Sequence, residues 1–224
     1  MSFHNLLSDR QYGFHQSHST GDLLTFLTES WSASFRDFGE TFAAALDISK
    51  DFDRVLYKAL ISKLPSYGFY PSLCNYISSF FSDHSIAAVV DGHCSPKSIN
   101  SGVSQGFVLS PTLFLLFIND LNQTSCPIHS YADDTTLHLS TSFQRRPTLQ
   151  EVVRLRRDAT ERLTSDLSKI SDWGRENLVV FNASKTQFFR LSTQHNLPDN
   201  YPFFFDDSTV SLFYTEYPWS VLYS

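Results

Sequence analysis

The apolar positions along this chain switch repeatedly between helical and strand periods. Leu23, Leu24, Leu27, Trp31 and Phe35 recur at helical spacing and predict a helix over 20–38. The next run, Thr41 to Ile48, is short and apolar and carries Asp47 near its end, which suits a buried strand that delivers an acid to a site. Helices are predicted over 54–66 and 71–82, separated by the turn signal from Ser66 to Pro71. Residues 85–91 and 96–103 read as a hairpin around Asp91-Gly92. Ser110-Pro111 is a good start for an apolar helix over 112–122, because proline at the first position has no amide left unsatisfied. Residues 127–139 alternate around Asp133-Asp134, as a hairpin with two acids at its tip does. Val152, Ala159, Leu163, Leu167, Ile170 and Trp173 then form one stripe of a long helix over 149–176. Strands near 178–182 and 186–192 close the readable pattern, while 193–224 is rich in Phe, Tyr and Pro and yields no assignment. This order predicts an α+β fold, a mainly antiparallel sheet with helices on one face.

Composition narrows the class. With 224 residues the chain can bury one sizeable core, so one or two domains are expected. Aromatic residues make up 15 % and charged residues only 18 %, a balance that argues against disorder. No apolar run approaches the roughly 20 residues that span a bilayer, and residues 1–10 lack the apolar core of a secretory signal. An intracellular chain is the expectation, with nucleus and cytoplasm left open. Cys74, Cys94 and Cys126 are an odd set without C-x-x-C spacing, and are expected as reduced, partly buried thiols.

The net charge of −6 argues at first against a nucleic-acid partner. Its distribution is uneven. Residues 145–190 hold ten of the 17 Lys and Arg against six acids, and the remainder of the chain is strongly acidic. Such asymmetry permits a basic contact face on an acidic body, although an Arg-rich helix is more often a solvated face.

Two-metal phosphoryl transfer needs carboxylates that hold a cation pair roughly 3.5–4 Å apart. Mg²⁺ takes only one or two protein carboxylates beside substrate phosphates and water. Asp47 at a strand end and Asp133 and Asp134 at a hairpin tip meet that need if their strands are neighbours. Singly, each is more commonly turn chemistry.

In order along the chain stand Ala-Leu-Asp-Ile-Ser-Lys-x-Phe-Asp-Arg-Val (45–55), Gly102-Val-Ser-Gln-Gly106, Tyr131-Ala-Asp-Asp134 and Phe181-Asn-Ala-Ser-Lys-Thr-Gln-Phe188. This set resembles motifs A, B, C and D of reverse transcriptases, motif B over 101–114. Arg10-Gln-Tyr-Gly-Phe14 with Ser19-Thr20 is similar to the segment before motif A in non-LTR elements, and the run 109–121 is similar to jockey-like sequences. The resemblance covers about residues 9–192. It implies a polymerase palm, with partial fingers over 1–40, the palm over 41–192 and a divergent tail over 193–224, and no thumb. It further implies an RNA-directed DNA polymerase using Mg²⁺ or Mn²⁺ on an RNA template, a DNA primer and deoxynucleoside triphosphates. Asp47 and Asp133 would ligate both metals with Asp134 beside them. The backbone at Ile48 would cradle the triphosphate, and Phe52 would exclude a 2′-hydroxyl. Gln105 and Gly106 would contact the nucleotide, and Lys185 would stand near its phosphates as a proton donor.

The chain also departs from the family pattern. Asp51 stands where a small residue is usual, and Ser104 and Phe107 replace the outer residues of Pro-Gln-Gly-Ser. His15 replaces an arginine, which removes a permanent charge, and Leu56-Tyr57 stands where Trp-His is frequent. With a truncated architecture, these departures lead to the expectation of a decayed element copy, and to the alternative of a catalytically dead remnant that at most binds RNA. A two-metal nuclease using the same acids is a third possibility that no accompanying motif supports.

Overall fold

A computed structural model describes residues 6–36, 39–49, 52–82, 85–90, 93–103, 108–143, 147–182, 185–192, 203–205, 208–210 and 212–215. The chain divides into two compact units. One comprises Met1–Ser8, Lys50–Asp120 and Glu176–Val179, and the other Asp9–Ser49, Leu121–Arg175 and Val180–Ser224.

The second unit is built on a sheet. Its elements begin with α1 (Thr20–Arg36) and β1 (Glu40–Leu46) and continue after the residues of the other unit. Ser19 and Asp22 cap α1 reciprocally: the Ser19 amide donates to Asp22 Oδ2 at 2.7 Å and the Asp22 amide to Ser19 Oγ at 3.2 Å. In the other unit lie helices α2 (Tyr57–Lys63) and α3 (Pro71–Phe81), the strand pair β2 (Ser85–Val90) and β3 (His93–Ser98), and helix α4 (Ser110–Ile118). The sheet unit resumes with β4 (Ile128–Tyr131), β5 (Asp134–Thr141), α5 (Leu149–Asn177), β6 (Gln187–Ser192), β7 (Phe203–Phe205), β8 (Ser208–Val210) and β9 (Leu212–Thr215).

Strand order in the main sheet is β4-β5-β1-β6-β9. All pairings are antiparallel except β6 with β9. β1 occupies the centre because both of its faces are covered. Phe42, Ala44 and Leu46 pack with Ala159, Leu163, Leu167 and Ile170 of α5, whereas Ala43 packs with Leu23, Leu27 and Trp31 of α1. A helix therefore lies on each face, and the expectation of helices on one face is corrected. The physical reason is visible in Phe-Ala-Ala-Ala-Leu: a strand buried on both sides reads as a continuous apolar run and not as an alternation.

Other expectations need smaller corrections. Residues 178–182 form no strand. Only Phe181 pairs, in an isolated bridge with Ile48. The tail, left unassigned, contributes β9 to the sheet edge, and Phe205 of β7 enters the α5-side core against Phe181 and Phe188. The turn residues Asp91 and Gly92 lie outside the described residues.

Within the first unit, the end of motif A and the residues just after it are knitted to the start of motif B. Leu56 bridges Ser101, the Gly102 amide donates to Val55 O at 3.0 Å, and the Tyr57 hydroxyl donates to Gly102 O at 2.7 Å. Lys63 donates to Phe117 O and pairs with Asp120 at 2.8 Å.

Candidate active site

Register brings the acids together. Leu46 pairs with Thr135, so Asp47, one residue further on, and Asp134, one residue earlier, continue the ladder from opposite directions. Tyr131 pairs with Asp134, which leaves Ala132-Asp133 as a two-residue connection at the tip. Carboxylate oxygens of Asp47, Asp133 and Asp134 all lie within 4.8 Å of one another. Asp47 and Asp133 are half-buried and Asp134 is exposed.

The chain after Asp47 is fastened from the other side. The Asn182 amide donates to Asp47 O at 2.8 Å and the Ser49 amide to Val180 O at 2.9 Å. This places the motif D segment beside β1 and delivers Lys185, whose Nζ donates to Asp47 Oδ1 at 3.1 Å. That bond, and then the charges of Asp47, Asp134 and Asp133, raise the Lys185 pKa, so the ammonium is held charged at neutral pH.

Three carboxylates share this tip with the Lys185 ammonium. Like charges about 4 Å apart repel by roughly 4 kcal/mol at an effective dielectric near 20, less where water screens them. A hard cation bound among them relieves that repulsion. Mg–O bonds of about 2.0–2.1 Å put neighbouring ligand oxygens within roughly 3–4 Å, so small carboxylate rotations suffice to close on an ion. The donor set, oxygen only and partly open to solvent, fits Mg²⁺ or Mn²⁺ and not a soft metal.

Of the remaining expected residues, Ile48 is buried and pairs with Phe181. Phe52 belongs to the other unit, where it stacks on Phe114 with ring centroids 5.0 Å apart. Gln105 and Gly106 lie outside the described residues, as do Asp51, Ser104 and Phe107. The basic segment 145–190 is partly consumed internally. Arg156 and Arg190 are buried, and Lys169, Arg175 and Lys185 each pair with an acid. Arg154, Arg157 and Arg162 remain as exposed cations on α5.

Two thiols are as expected from the cysteine count. Cys74 is half-buried and Cys126 buried. Burial, then the Asp166 carboxylate, pushes the Cys126 thiol up to about 12, which makes it inert.

Sequence reasoning missed two supports of the tip. Ala132 has φ of 56°, in the left-handed region that a residue with a Cβ seldom adopts. Gln11, quoted only as part of a resemblance, is buried against it. A left-handed residue in a two-residue hairpin turn usually announces itself as Gly or Asn, and Ala at that place gives no such signal.

Among the described residues no helix is long and apolar enough to cross a membrane. Against solved structures the fold is similar to telomerase from Candida tropicalis in complex with a TWJ fragment of telomeric RNA, with a TM-score of 0.53 and 12 % identity over 81 % of this chain and 30 % of that one. A second telomerase structure from the same organism, apo and truncated of its C-terminal domain, gives 0.50 and 14 % identity over 84 % of this chain and 37 % of that one. This likeness shows a polymerase-palm type of fold. Among curated proteins, a probable RNA-directed DNA polymerase from transposon BS of Drosophila melanogaster is 28 % identical over 83 % of this chain and 20 % of its own length. The RNA-directed DNA polymerase from mobile element jockey of Drosophila melanogaster is 32 % identical over 57 % of this chain and 15 % of its own length. This chain thus spans about a fifth or less of these two relatives. The family described as reverse transcriptase (RNA-dependent DNA polymerase) matches residues 1–203. A match over so much of the sequence settles descent: the chain belongs to the reverse transcriptase family, with relatives among the non-LTR retrotransposon polymerases.

Proposed function

We propose that the three aspartates are the catalytic centre of RNA-directed DNA synthesis, with Mg²⁺ or Mn²⁺ bound by Asp47 and Asp133 and assisted by Asp134. The single supporting observation is their convergence, from two adjacent strands, to within 4.8 Å. Bound there, divalent cations supply activation of the attacking primer hydroxyl and charge relief for the departing pyrophosphate. The protein supplies position. β1 and the β4–β5 hairpin fix the carboxylates on a sheet buried on both faces, so they do not drift as a long template passes. Lys185, protonated and 3.1 Å from Asp47, offers Nζ as a proton donor for the leaving group. From their motif positions alone, Ile48, Phe52, Gln105 and Gly106 are proposed to bind the incoming deoxynucleoside triphosphate. RNA template, DNA primer and nucleotides are intracellular substrates, so the proposal places the chain inside the cell.

Primer extension on an RNA template with Mg²⁺ or Mn²⁺ tests the proposal. Losing several kcal/mol of charge stabilisation corresponds to at least about 100-fold in rate, the loss expected for Asp133→Ala. Template-dependent incorporation that persists in Asp133→Ala would sink the assignment.

A second reading, a remnant that binds RNA without catalysis, is favoured by the Asp51, Ser104 and Phe107 departures and by exposed Arg154, Arg157 and Arg162. It predicts no incorporation with the unsubstituted chain, together with RNA affinity that falls steeply with salt through counterion release.

A further inference from the structure

We infer that Gln11 is a positioning residue that locks the turn carrying Asp133 and Asp134 through the backbone of Ala132. The inference rests on the proposal that these acids form the cation site, and it assigns that site a support contributed by a segment more than a hundred residues away in sequence.

The geometry is specific. Gln11 is 3 % exposed. Its Oε1 accepts from the Ala132 amide at 2.9 Å and from the Gly13 amide at 2.8 Å, and its Nε2 donates to Ala132 O at 3.2 Å. Both polar backbone groups of the left-handed residue are therefore satisfied by one side chain. The approach is closed on the other side by Gly13, where any Cβ would stand 2.2 Å from Ala132 N. Backbone bonds from Tyr12 to Ser130 O at 2.8 Å and from Ser130 to Arg10 O at 2.9 Å hold the 10–13 segment against β4.

Ala132 without this grip has a reason to move. The left-handed conformation costs a residue with a Cβ about 1–2 kcal/mol. Its amide and carbonyl would also lose their partners inside a buried turn, at about 1–3 kcal/mol for a group left unsatisfied. Relaxation of Ala132 turns the peptide that leads into Asp133. The carboxylates of Asp133 and Asp134 then swing relative to Asp47, which is anchored separately through Asn182. Gln11 thus acts on the cation site through Ala132 and touches no substrate.

Mn²⁺ titration of the full chain, read by electron paramagnetic resonance, tests this. Gln11→Ala weakens Mn²⁺ binding by about tenfold, the equivalent of one to two lost hydrogen bonds. Adding Ala132→Gly to Gln11→Ala returns the affinity to within about threefold of the unsubstituted chain, because glycine adopts the left-handed turn without strain. A residue that mattered only for packing would show no such rescue. Gln11→Met keeps close to the volume without adding a charge, loses all three hydrogen bonds, and gives a comparable loss. It serves where Gln11→Ala fails to fold. Unchanged affinity in both Gln11 variants, or no recovery in the Ala132→Gly double variant, overturns the inference. Absence of Mn²⁺ binding in the unsubstituted chain, or binding indifferent to Asp133→Ala, overturns the cation site itself. Faster exchange of the Ala132 amide in Gln11→Ala still reads the clamp in that case, so the two failures are told apart.

Discussion

Strand β1 ends in an acid in one direction and is followed by an acid in the other, and the molecule treats the two in opposite ways. Glu40 is fully buried. Arg156 of α5 donates to it from Nε at 2.8 Å and from a terminal nitrogen at 2.5 Å, and Ser192 Oγ adds a third bond at 2.5 Å. Both carboxylate oxygens are bonded and the charge is cancelled. Asp47, seven residues on, is half-buried, faces two further carboxylates, and has one exposed lysine as its countercharge. The first arrangement leaves nothing for a ligand to do. The second gathers three carboxylates in a partly open place, and such a gathering is what a cation site requires. Burial and charge satisfaction separate an acid that serves the fold from one that serves chemistry.

The largest effect is expected at the satisfied end. Removing one member of a buried ion pair leaves the other charge stranded at about 3–5 kcal/mol, whereas replacing both with apolar residues costs far less. Arg156→Leu is therefore expected to lose about 3–5 kcal/mol of stability in urea denaturation, and Glu40→Leu in the same background to return most of it. If the double variant is as unstable as the single one, the pair is not what Arg156 contributes, and the contrast between the two ends fails.

A second, smaller effect lies midway along the strand. His138, opposite Ala43, stacks on His129, with Nε2 of one 3.2 Å from Nδ1 of the other. Burial pushes each imidazole down to about 4 from 6.5, with the Arg10 charge adding to the shift of both and the neighbouring imidazole to that of His138. The folded state holds both rings neutral while the unfolded chain binds their protons below 6.5. Stability is thus fully present above that pH and is lost as pH falls towards 4. The loss between pH 6.5 and 5.5 is about 2 kcal/mol for the pair. Denaturation midpoints across this range check it, and His129→Phe should about halve the slope. A flat profile would show that the middle of β1 tolerates charge as its Asp47 end does.

Much of this contrast was legible in the sequence, unevenly. Asp47 and Asp133-Asp134 stood out because a strand pattern ends at the first and a hairpin pattern turns at the others. The α5 stripe was equally clear, since Val152, Ala159, Leu163, Leu167 and Ile170 are all buried as their spacing requires. Arg156 and Asp166 lie on that same buried stripe and were passed over, because a hydrophobic template has no slot for a charge whose partner is distant in sequence. Glu40 gives no signal for the same reason: the apolar pattern begins only after it, at Thr41. The second covered face of β1 is written in its unbroken apolar run, but such a run does not say which helix covers which side. The tail escaped because β9 pairs in parallel with β6, a contact that no local turn announces. Gln11 carried no signal of its own, since its role exists only once Ala132 has turned left-handed.

The smallest effect has the opposite sign and sharpens the comparison most. At the Asp47 end, removing a charge should stabilise the fold. Asp134 is exposed, so water screens most of its repulsion with Asp47 and Asp133, and Asp134→Asn is expected to gain only about 0.5 kcal/mol at low salt. Raising the ionic strength should shrink that gain, since screening weakens the Coulomb repulsion behind it. The same variant should bind Mn²⁺ more weakly, because the amide supplies no negative charge to the cation. At the Glu40 end no charge can be removed singly without loss, and function gains nothing from keeping it. A stabilising Asp134→Asn that weakens Mn²⁺ would show that the fold carries this carboxylate at a cost for the sake of the ion. A destabilising one would mean that the contacts of Asp134 outweigh that repulsion and that it belongs, like Glu40, to the architecture.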